Sequence, residues 1–118
     1  MTWKNFYFLE TIKAFEAALK SDESTYLRLT GTSNNPIIYK KDYNFEIGKS
    51  VKLLDGEDIT IFSAGSIISE CLKATEILKK EGIGAGVVNM HTIKPIDKDA
   101  IEKACDSKMI ISVEEHNV

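Results

Sequence analysis

Residues 58–115 alternate between short apolar runs and longer amphipathic stretches, and this alternation constrains the fold more than any other feature of the sequence. The runs ITIFSAG, AGVVNMH and KMIISVEE have the length and composition of strands. The two stretches between them place apolar side chains at the spacing of one helix face. The predicted order is β-α-β-α-β, and such units form parallel sheets with right-handed crossovers and helices on both faces. The expected fold is therefore an α/β protein with three layers, an α/β/α sandwich.

Residues at the ends of the two predicted helices support their boundaries. Ser66 and Asp97 can act as N-caps, because a side-chain oxygen there accepts hydrogen bonds from unpaired N–H groups of the first turn. Gly82 follows the first helix and suits a C-cap. The inward face of the first helix is predicted to comprise Ile67, Ile68, Cys71, Leu72, Thr75 and Leu78. The inward face of the second is predicted to comprise Ala100, Ile101, Ala104 and Cys105.

The first half of the chain is less regular. Residues 8–20 predict an amphipathic helix whose apolar side contains Phe8, Ile12, Phe15 and Leu19. The sequence TYLRLT at residues 25–30 predicts a short strand. Residues 31–46 are rich in turn residues and predict a linker or an extended crossing. The alternating residues 48–54 predict a further strand, which a tight Asp55–Gly56 turn closes.

Composition and charge exclude several classes of function. The 118 residues carry a formal net charge of −3 and no block of basic side chains, which argues against nucleic-acid and acidic-membrane partners. The longest apolar run is far shorter than the roughly 20 residues that span a bilayer, and the N-terminal residues lack the apolar core of a signal peptide. Cys71 and Cys105 lack the spacing of a metal site, so we expect reduced core thiols in a cytoplasmic protein.

Three polar residues follow the last predicted strand and form a candidate site: Glu114, Glu115 and His116. Neighbouring side chains of a strand point to opposite faces, so Glu114 and Glu115 cannot share a proton or a metal ion while the strand persists. Glu114 and His116 lie on one side and are candidates for an interface or a cofactor-proximal turn at the carboxyl end of the sheet. The simpler alternative is a polar strand end that hydrogen-bonds to a following loop.

Two glycine-containing stretches are candidates for a dinucleotide-binding or an anion-binding site. GIGAGVVN precedes a strand, whereas a dinucleotide fingerprint requires a strand, a glycine turn and then a helix, so a helix C-cap and turn is predicted. SAGS has the strand-turn-helix order, and a helix N-terminus can hold an anion, so an occasional bound sulfate or phosphate is the most that it indicates. No Ser-His-Asp or Cys-His set has supporting context, and we predict no catalytic residue.

Residues 45–118 resemble the C-terminal domain of transketolase-like enzymes that use thiamine diphosphate. The resemblance rests on four motifs in a fixed order: IGK, SAG, TIKPID and VEEHNV. The pattern is also similar to 1-deoxyxylulose-5-phosphate synthase and to the beta subunits of 2-oxoacid dehydrogenases. The resemblance implies a mostly parallel sheet of five strands in the order 1-3-2-4-5, with an antiparallel first strand. It implies that this chain supplies the first four and is truncated before the last strand.

The resemblance also implies a division of the chain. Residues 1–30 resemble the last helix and strand of the family's pyrimidine-binding domain, residues 31–46 would be a linker, and residues 47–118 would be the C-terminal domain. The family's GDG motif for diphosphate and magnesium does not occur, and the acidic residue that activates the cofactor would lie upstream. We therefore expect this chain alone to be inactive and to bind neither thiamine diphosphate nor magnesium. The parent enzyme would use both to transfer two-carbon ketol units.

Arg28 joins Glu114 and His116 as a candidate for an interface or for the periphery of the active site. In the family comparison, Arg28, within the YLRL strand, matches the first and more structural of two arginines. Enzymes that act on sugar phosphates usually place a second arginine three residues later, where it grips the phosphate by a bidentate contact, and Gly31 stands there. In the family's strand order, His91 and His116 would lie roughly 10 Å apart, so no metal site is predicted.

The expected partners are a companion chain or domains carrying the thiamine diphosphate site, and further copies of this chain. The last predicted strand is apolar and uncovered, and a bare strand edge invites pairing, so we expect a dimer or swapped strands. One alternative is the matching domain of a 2-oxoacid dehydrogenase beta subunit, which would dock an acyltransferase core. Another is a free-standing, flavodoxin-like interaction module. An all-parallel sheet would favour that module, whereas an antiparallel first strand would favour the transketolase-like domain.

Overall fold

A computed structural model of the chain describes residues 9–29 and 36–115. The chain divides into two compact units, Met1–Ile47 and Gly48–Val118. In the first unit, helix α1 spans Leu9–Leu19. The second contains, in chain order, strand β1 (Val51–Leu54), strand β2 (Ile59–Ser63), a 3₁₀ turn (Gly65–Ile67), helix α2 (Ile68–Lys80), strand β3 (Ala85–Asn89), helix α3 (Lys98–Ala104) and strand β4 (Met109–Val113). Within the described ranges, no helix is long and apolar enough to cross a membrane.

The four described strands form one sheet in the order β1-β3-β2-β4. Strand β1 pairs antiparallel with β3, whereas β3 and β4 each pair parallel with β2. The predicted β-α-β-α-β order is confirmed, as are the mostly parallel sheet, its antiparallel first strand and the order of the four strands. The antiparallel edge strand counts against a flavodoxin-like sheet, in which all strands run parallel.

Helices α2 and α3 cover opposite faces of the sheet. The crossover from β2 to β3 runs toward β1, whereas the crossover from β3 to β4 runs back across β2. Right-handed crossovers in opposite directions place their helices on opposite faces. Helix α2 packs against β3 and β2 and buries Ile68, Cys71 and Thr75. On the other face, Ala104 of α3 joins Phe62 in a buried apolar cluster. The three-layer α/β/α sandwich is confirmed.

Truncation of Ile68 tests how strongly the α2 layer stabilises the sheet. The Ile68 side chain is 2% exposed. Ile68→Ala leaves a cavity and is expected to lower the free energy of unfolding by about 2–4 kcal/mol. The matched control is Ile77→Ala on the same helix, where the side chain is 63% exposed and the expected cost is below about 0.5 kcal/mol. Urea titrations followed by circular dichroism measure both, and equal losses would contradict the assignment of the buried face.

Helix α1 confirms the predicted helix, but its apolar side is exposed where the structure describes it. Leu9 and Ala14 are buried, and Phe8 lies outside the described residues. Three residues of the apolar side are exposed: Ile12, Phe15 and Leu19. Helical spacing shows which side chains share a face, but that face is buried only where another element covers it.

The segment predicted as a linker returns to α1 through polar and aromatic contacts. Tyr39 Oη donates to a Glu10 carboxylate oxygen at 3.1 Å, and Lys13 Nζ lies 2.7 Å from an Asp42 carboxylate oxygen. The rings of Tyr39 and Tyr43 stack with their centroids 4.0 Å apart, and Lys13 Nζ lies 5.4 Å from the Tyr43 centroid. Burial, followed by the nearby Glu10 carboxylate, raises the pKa of Tyr43, so its phenol is neutral at physiological pH.

The strand predicted at residues 25–30 is wrong for the part that the structure describes. Residues 25–29 have no regular secondary structure, and Thr30 lies outside the described residues. A strand needs a neighbour for its backbone N–H and C=O groups, and no described strand pairs with this segment. Tyr26, Arg28 and Leu29 are exposed here.

The predicted N-cap role of Ser66 is also wrong. The N-cap position of α2 is Ile67, which makes no side-chain hydrogen bond, and the chain enters the helix through the 3₁₀ turn. Gly65 begins that turn with a φ angle of +72°, a left-handed conformation that glycine adopts without a steric penalty. The turn directs the Ser66 hydroxyl to the Glu115 carboxylate, to which it donates a hydrogen bond. The sequence did not predict this turn, because a serine directly before a helical pattern is normally the N-cap of that helix.

The two cysteines differ in their surroundings. Cys71 is buried on α2, as predicted, and neither thiol is in a disulfide. Cys105 is exposed rather than inward. The reason is that α3 ends at Ala104, so Cys105 lies beyond the last residue of the face that packs on the sheet. The prediction of two core thiols is therefore correct for Cys71 and wrong for Cys105.

Candidate functional site

The carboxyl ends of β2, β3 and β4 lie along one edge of the sheet, because these strands are parallel. Ligands of α/β sheets usually bind at this edge. Ser63 Oγ donates to the Val113 carbonyl oxygen at 2.9 Å, and Met90 N–H donates to the Ser63 carbonyl oxygen at 2.8 Å. Ser63 is 3% exposed, so these contacts hold the three strand ends together rather than offer groups to a ligand.

Glu114 and Glu115 lie beyond β4, which ends at Val113 rather than continuing through them as predicted, and they have different hydrogen-bond partners. The Glu115 carboxylate accepts a hydrogen bond from Ser66 Oγ in the turn before α2. Glu114 is exposed, and Ser112 Oγ donates to its carboxylate at 3.3 Å. The structure therefore does not bring these carboxylates together as an acid-base pair. His116 lies outside the described residues, so its place beside Glu114 stays a prediction.

His91 follows β3 at the same edge and is half-buried. Its Nδ1 atom lies 2.9 Å from Thr92 Oγ1. Burial is the larger influence and lowers the pKa of His91, while the Asp97 carboxylate opposes this shift. The imidazole is therefore neutral near pH 7, so one ring nitrogen donates a hydrogen bond and the other accepts one. Among the described residues, no group of three or more His, Cys, Asp or Glu side chains is arranged to hold a metal ion.

Asp97 connects the start of β1 with the start of α3. One carboxylate oxygen accepts from Ser50 N–H and Ser50 Oγ, both at 2.8 Å, and the other accepts from Ala100 N–H at 3.2 Å, which caps α3 as predicted. Burial is the largest single influence on the pKa of Asp97 and acts to raise it. These hydrogen bonds and the Lys49 ammonium together outweigh burial and hold the pKa below its usual value. The sequence indicated the cap but not Ser50, which lies 47 positions away.

A groove of about 390 Å³ opens beside Asp97, between β1 and α3. Its lining includes three lysines and three aspartates: Lys49, Lys52, Lys103, Asp97, Asp99 and Asp106. Lys49 Nζ lies 2.9 Å from an Asp99 carboxylate oxygen, so part of this charge is already paired within the wall. The formal charges of these six lining residues balance.

The glycine stretch GIGAG forms the predicted helix end and turn. Gly82 has a φ angle of +78°, and Ile83 N–H donates to the Leu78 carbonyl oxygen at 3.0 Å, which closes α2. Gly84 N–H donates to an Asp58 carboxylate oxygen at 2.7 Å. Backbone N–H groups of this stretch are therefore used within the fold, and the stretch does not form a phosphate-binding loop.

The four sequence motifs behind the family resemblance meet in pairs. Gly48 of IGK lies against Pro95 of TIKPID, because a Cβ atom added at Gly48 would lie 3.1 Å from the Pro95 ring. The Ser50–Asp97 hydrogen bonds reinforce this first contact. The turn that follows SAG meets VEEHNV through the Ser66–Glu115 hydrogen bond. Residues that look unrelated along the chain therefore form two specific contacts within the second unit.

Residues 48–118 match the family model described as transketolase, C-terminal domain. The chain belongs to this family. The order and direction of the four described strands agree with what the resemblance to transketolase-like C-terminal domains implied. The sequence-based identification of the family is therefore confirmed.

Curated relatives and a solved structure support the same family. A putative transketolase C-terminal section from Methanocaldococcus jannaschii is 48% identical over 84 residues, which are 70% of this chain and 26% of the relative. One of the subunits of apulose-4-phosphate transketolase from Phocaeicola vulgatus is 38% identical over 110 residues, 92% of this chain and 35% of the relative. A solved structure described as split gene transketolase, inactive beta4 tetramer, aligns with a TM-score of 0.65 and 34% identity over 69% of this chain and 27% of that chain. The chain thus spans about a quarter to a third of these relatives.

The predicted interface candidates fall in different places. Arg28 is exposed and belongs to the first unit, and Glu114 is exposed and belongs to the second. His116 lies outside the described residues. The groups that sequence reasoning missed are the hydroxyl partners of the two carboxylates, Ser50 and Ser66. Each of these contacts joins distant positions, so only the folded chain reveals it.

Proposed function

We propose that this chain is the non-catalytic C-terminal portion of a transketolase-type enzyme and serves its assembly and the periphery of its active site. The family match over residues 48–118 carries this proposal. The chain spans only part of its curated relatives, which supports a role as one part of a larger enzyme. The parent activity is the transfer of a two-carbon ketol unit, for which thiamine diphosphate and Mg²⁺ supply the chemistry.

The residues present in this chain do not fit the cofactor. The sequence contains no GDG motif, and the described residues include no acidic cluster arranged for a divalent ion. The N–H groups of Ile83 and Gly84 in the GIGAG stretch bond within the fold rather than to a diphosphate. No step of the reaction is therefore assigned to thiamine diphosphate within this chain, and the companion part of the enzyme supplies the cofactor site.

The carboxyl edge of the sheet has the properties of a supporting surface. The Ser66–Glu115 hydrogen bond and the buried Ser63 hold the strand ends in place. His91 at this edge bonds Thr92 through Nδ1, and burial lowers its pKa, so it is neutral near pH 7. Such an edge can position the loops of a neighbouring domain without taking part in proton transfer. Arg28, Glu114 and His116 are proposed interface residues within this role.

The companion is a second polypeptide or further domains of the same one. The relative from Phocaeicola vulgatus is named as one subunit of its transketolase, and the solved structure is described as a split gene transketolase. Both descriptions concern those proteins, and they support a division of the enzyme between chains here.

The thiols of Cys71 and Cys105 are not in a disulfide, which supports a cytoplasmic location.

A purified sample of this chain is expected to show no ketol transfer and no heat of binding with thiamine diphosphate and Mg²⁺. Coexpression with the GDG-containing chain encoded nearest to it should give a copurifying complex that transfers ketol units only when both cofactors are added. A coupled ketose–aldose assay and isothermal titration calorimetry measure these results. Ketol transfer by the isolated chain would refute the proposal. Copurification with the peripheral binding domain of an acyltransferase core would favour the 2-oxoacid dehydrogenase alternative.

A further inference from the structure

The groove between β1 and α3 is bounded at its floor and at both ends, and all of its lining residues belong to the second unit. Gly86 and Val88 of β3 form its floor, on the sheet face that α3 covers. The Ser50–Asp97 hydrogen bonds close one end. At the opposite end of β1 the turn at Gly56 crosses the sheet, because a Cβ atom added at Gly86 would lie 2.8 Å from the Gly56 nitrogen. The volume of about 390 Å³ falls within the roughly 300–1,000 Å³ of small-molecule sites.

The groove does not depend on a strand after β4. In the family strand order a fifth strand would lie outside β4, and the crossover to it would continue in the direction of the crossover from β3 to β4. A right-handed crossover in that direction places its helix on the α3 face, over β4 and the fifth strand. The groove lies on the other side of α3, next to β1, which is the outermost strand of that order. A helix before a fifth strand would therefore leave the groove open.

The charges that line the groove are divided between its two walls. The β1 wall contributes two lysines, Lys49 and Lys52. The α3 wall, with the residues at the helix ends, contributes three aspartates and one lysine: Asp97, Asp99, Asp106 and Lys103. The β1 wall is therefore positive and the α3 wall has a net negative charge, so a ligand in the groove meets walls of opposite sign.

Two of the aspartates are engaged within the fold. The Asp97 carboxylate accepts from Ser50 and from Ala100 N–H. Lys49 Nζ lies 2.9 Å from an Asp99 carboxylate oxygen, so these two charges are paired across the end of the groove that Ser50 closes. The groups that remain for a ligand lie toward the Gly56 end.

Lys52 and Asp106 are the available charges of opposite walls. Within the described ranges, neither Asp106 nor the neighbouring Lys103 forms an ion pair. Lys52 Nζ lies 2.8 Å from an Asp55 carboxylate oxygen, and the two side chains are 65% and 88% exposed. An exposed pair of this kind contributes little to stability, so Lys52 can exchange it for a ligand at small cost.

We propose that the groove binds a small zwitterion of the amino-acid type, whose carboxylate contacts Lys52 and whose ammonium group contacts Asp106. The flexible stem of Lys52 lets its charge reach the ligand from the β1 wall. An anion or a cation alone would leave uncompensated charge in a groove whose lining charges balance, and partly buried charge without a partner is costly. A zwitterion keeps the balance and presents an opposite charge to each wall. An apolar ligand side chain covers Leu54, which is 41% exposed, and Val88 on the floor.

Titration of the complete chain with L-leucine, followed by ¹⁵N–¹H NMR spectra, tests this proposal, which does not rest on the proposed transketolase function. The backbone signals of Leu54, Gly86 and Lys103 should shift and saturate, with a dissociation constant on the order of 1 mM. N-acetyl-leucine lacks the ammonium group and leucine amide lacks the carboxylate, so each should bind at least about fivefold more weakly. Absence of saturable shifts with leucine would overturn the proposal, as would an analogue that binds as tightly as leucine.

Two substitutions separate the roles of the walls. Lys52→Gln should weaken binding of leucine and N-acetyl-leucine at least about fivefold and leave leucine amide unaffected, whereas Asp106→Asn should weaken leucine and leucine amide and leave N-acetyl-leucine unaffected. The matched control Lys73→Gln alters an exposed ion pair of the same spacing on α2, which covers the other face of the sheet. A second control, Glu102→Gln, removes an acidic group of α3 that does not line the groove. Both controls should bind leucine as the unaltered chain does, and equal losses in variants and controls would contradict the assignment of the site.

Discussion

A methyl group added at Gly56 is expected to lower the free energy of unfolding by at least about 3 kcal/mol. The Cβ atom of Gly56→Ala would lie 2.1 Å from the Gly86 backbone nitrogen and 2.2 Å from the Ala85 carbonyl carbon. Both atoms belong to the backbone of β3, whose five residues are all buried, so neither can move aside. The variant can relieve the clash only by opening the pairing of β1 with β3.

Gly82→Ala is the matched control for this substitution. Gly82 has a φ angle of +78°, but a Cβ atom there meets nothing within 4 Å. Its replacement therefore adds only left-handed backbone strain, which costs about 1–2 kcal/mol. Urea titrations of both variants, followed by circular dichroism, measure the difference. If Gly56→Ala proves no more damaging than Gly82→Ala, the close approach of the turn to β3 is wrong.

The contact of Gly56 with β3 is an example of a tertiary contact that local sequence patterns do not predict. The Asp55–Gly56 pair indicated a turn, because local composition is sufficient for that prediction. Its contact with Gly86 joins two segments thirty residues apart, and periodicity carries no information on such a pair. The same limit applies to Phe15 of α1, whose spacing marks a helix face without showing what covers it. It applies also to Ser66, whose partner Glu115 follows β4 and lies 49 positions away along the chain.

What the sequence did predict depended on local chemistry and on family resemblance. The apolar runs identified β2, β3 and β4, and the helical spacing identified the buried positions Ile68 and Cys71 of α2. The strand order came from the resemblance, since periodicity does not order strands. Strand alternation predicted that Glu114 and Glu115 point to opposite faces, but β4 ends at Val113, so their different partners depend on the folded chain and not on alternation. The hydroxyl partners of Asp97 and Glu115 depended on tertiary contacts and were not predicted.

Asp97→Ala is expected to lower the free energy of unfolding by about 2–4 kcal/mol at pH 7, because it removes an N-cap and leaves donors of Ser50 without their acceptor. Asp97 is 6% exposed, so water replaces the lost acceptor poorly. Asp99→Asn is the matched control. It removes only the exposed ion pair with Lys49, which contributes about 0.5 kcal/mol. Similar losses for the two variants would contradict the role of Asp97 as the link between β1 and α3.

The pH dependence of the Asp97 contribution has a definite sign. The folded state holds the pKa of Asp97 below its unfolded value, so the carboxylate stabilises the fold above the unfolded pKa of about 3.9 and loses this effect as the pH falls through the folded pKa. Asp97→Asn keeps the shape of the side chain and resembles the protonated acid. The stability difference between the unaltered chain and Asp97→Asn that comes from the Asp97 charge should therefore shrink below about pH 4. Asp42 and Asp58, whose pKa values are also lowered, affect both proteins equally and cancel from this difference. A difference that persists unchanged in acid would show that the charge of Asp97 is not the source of this stabilisation.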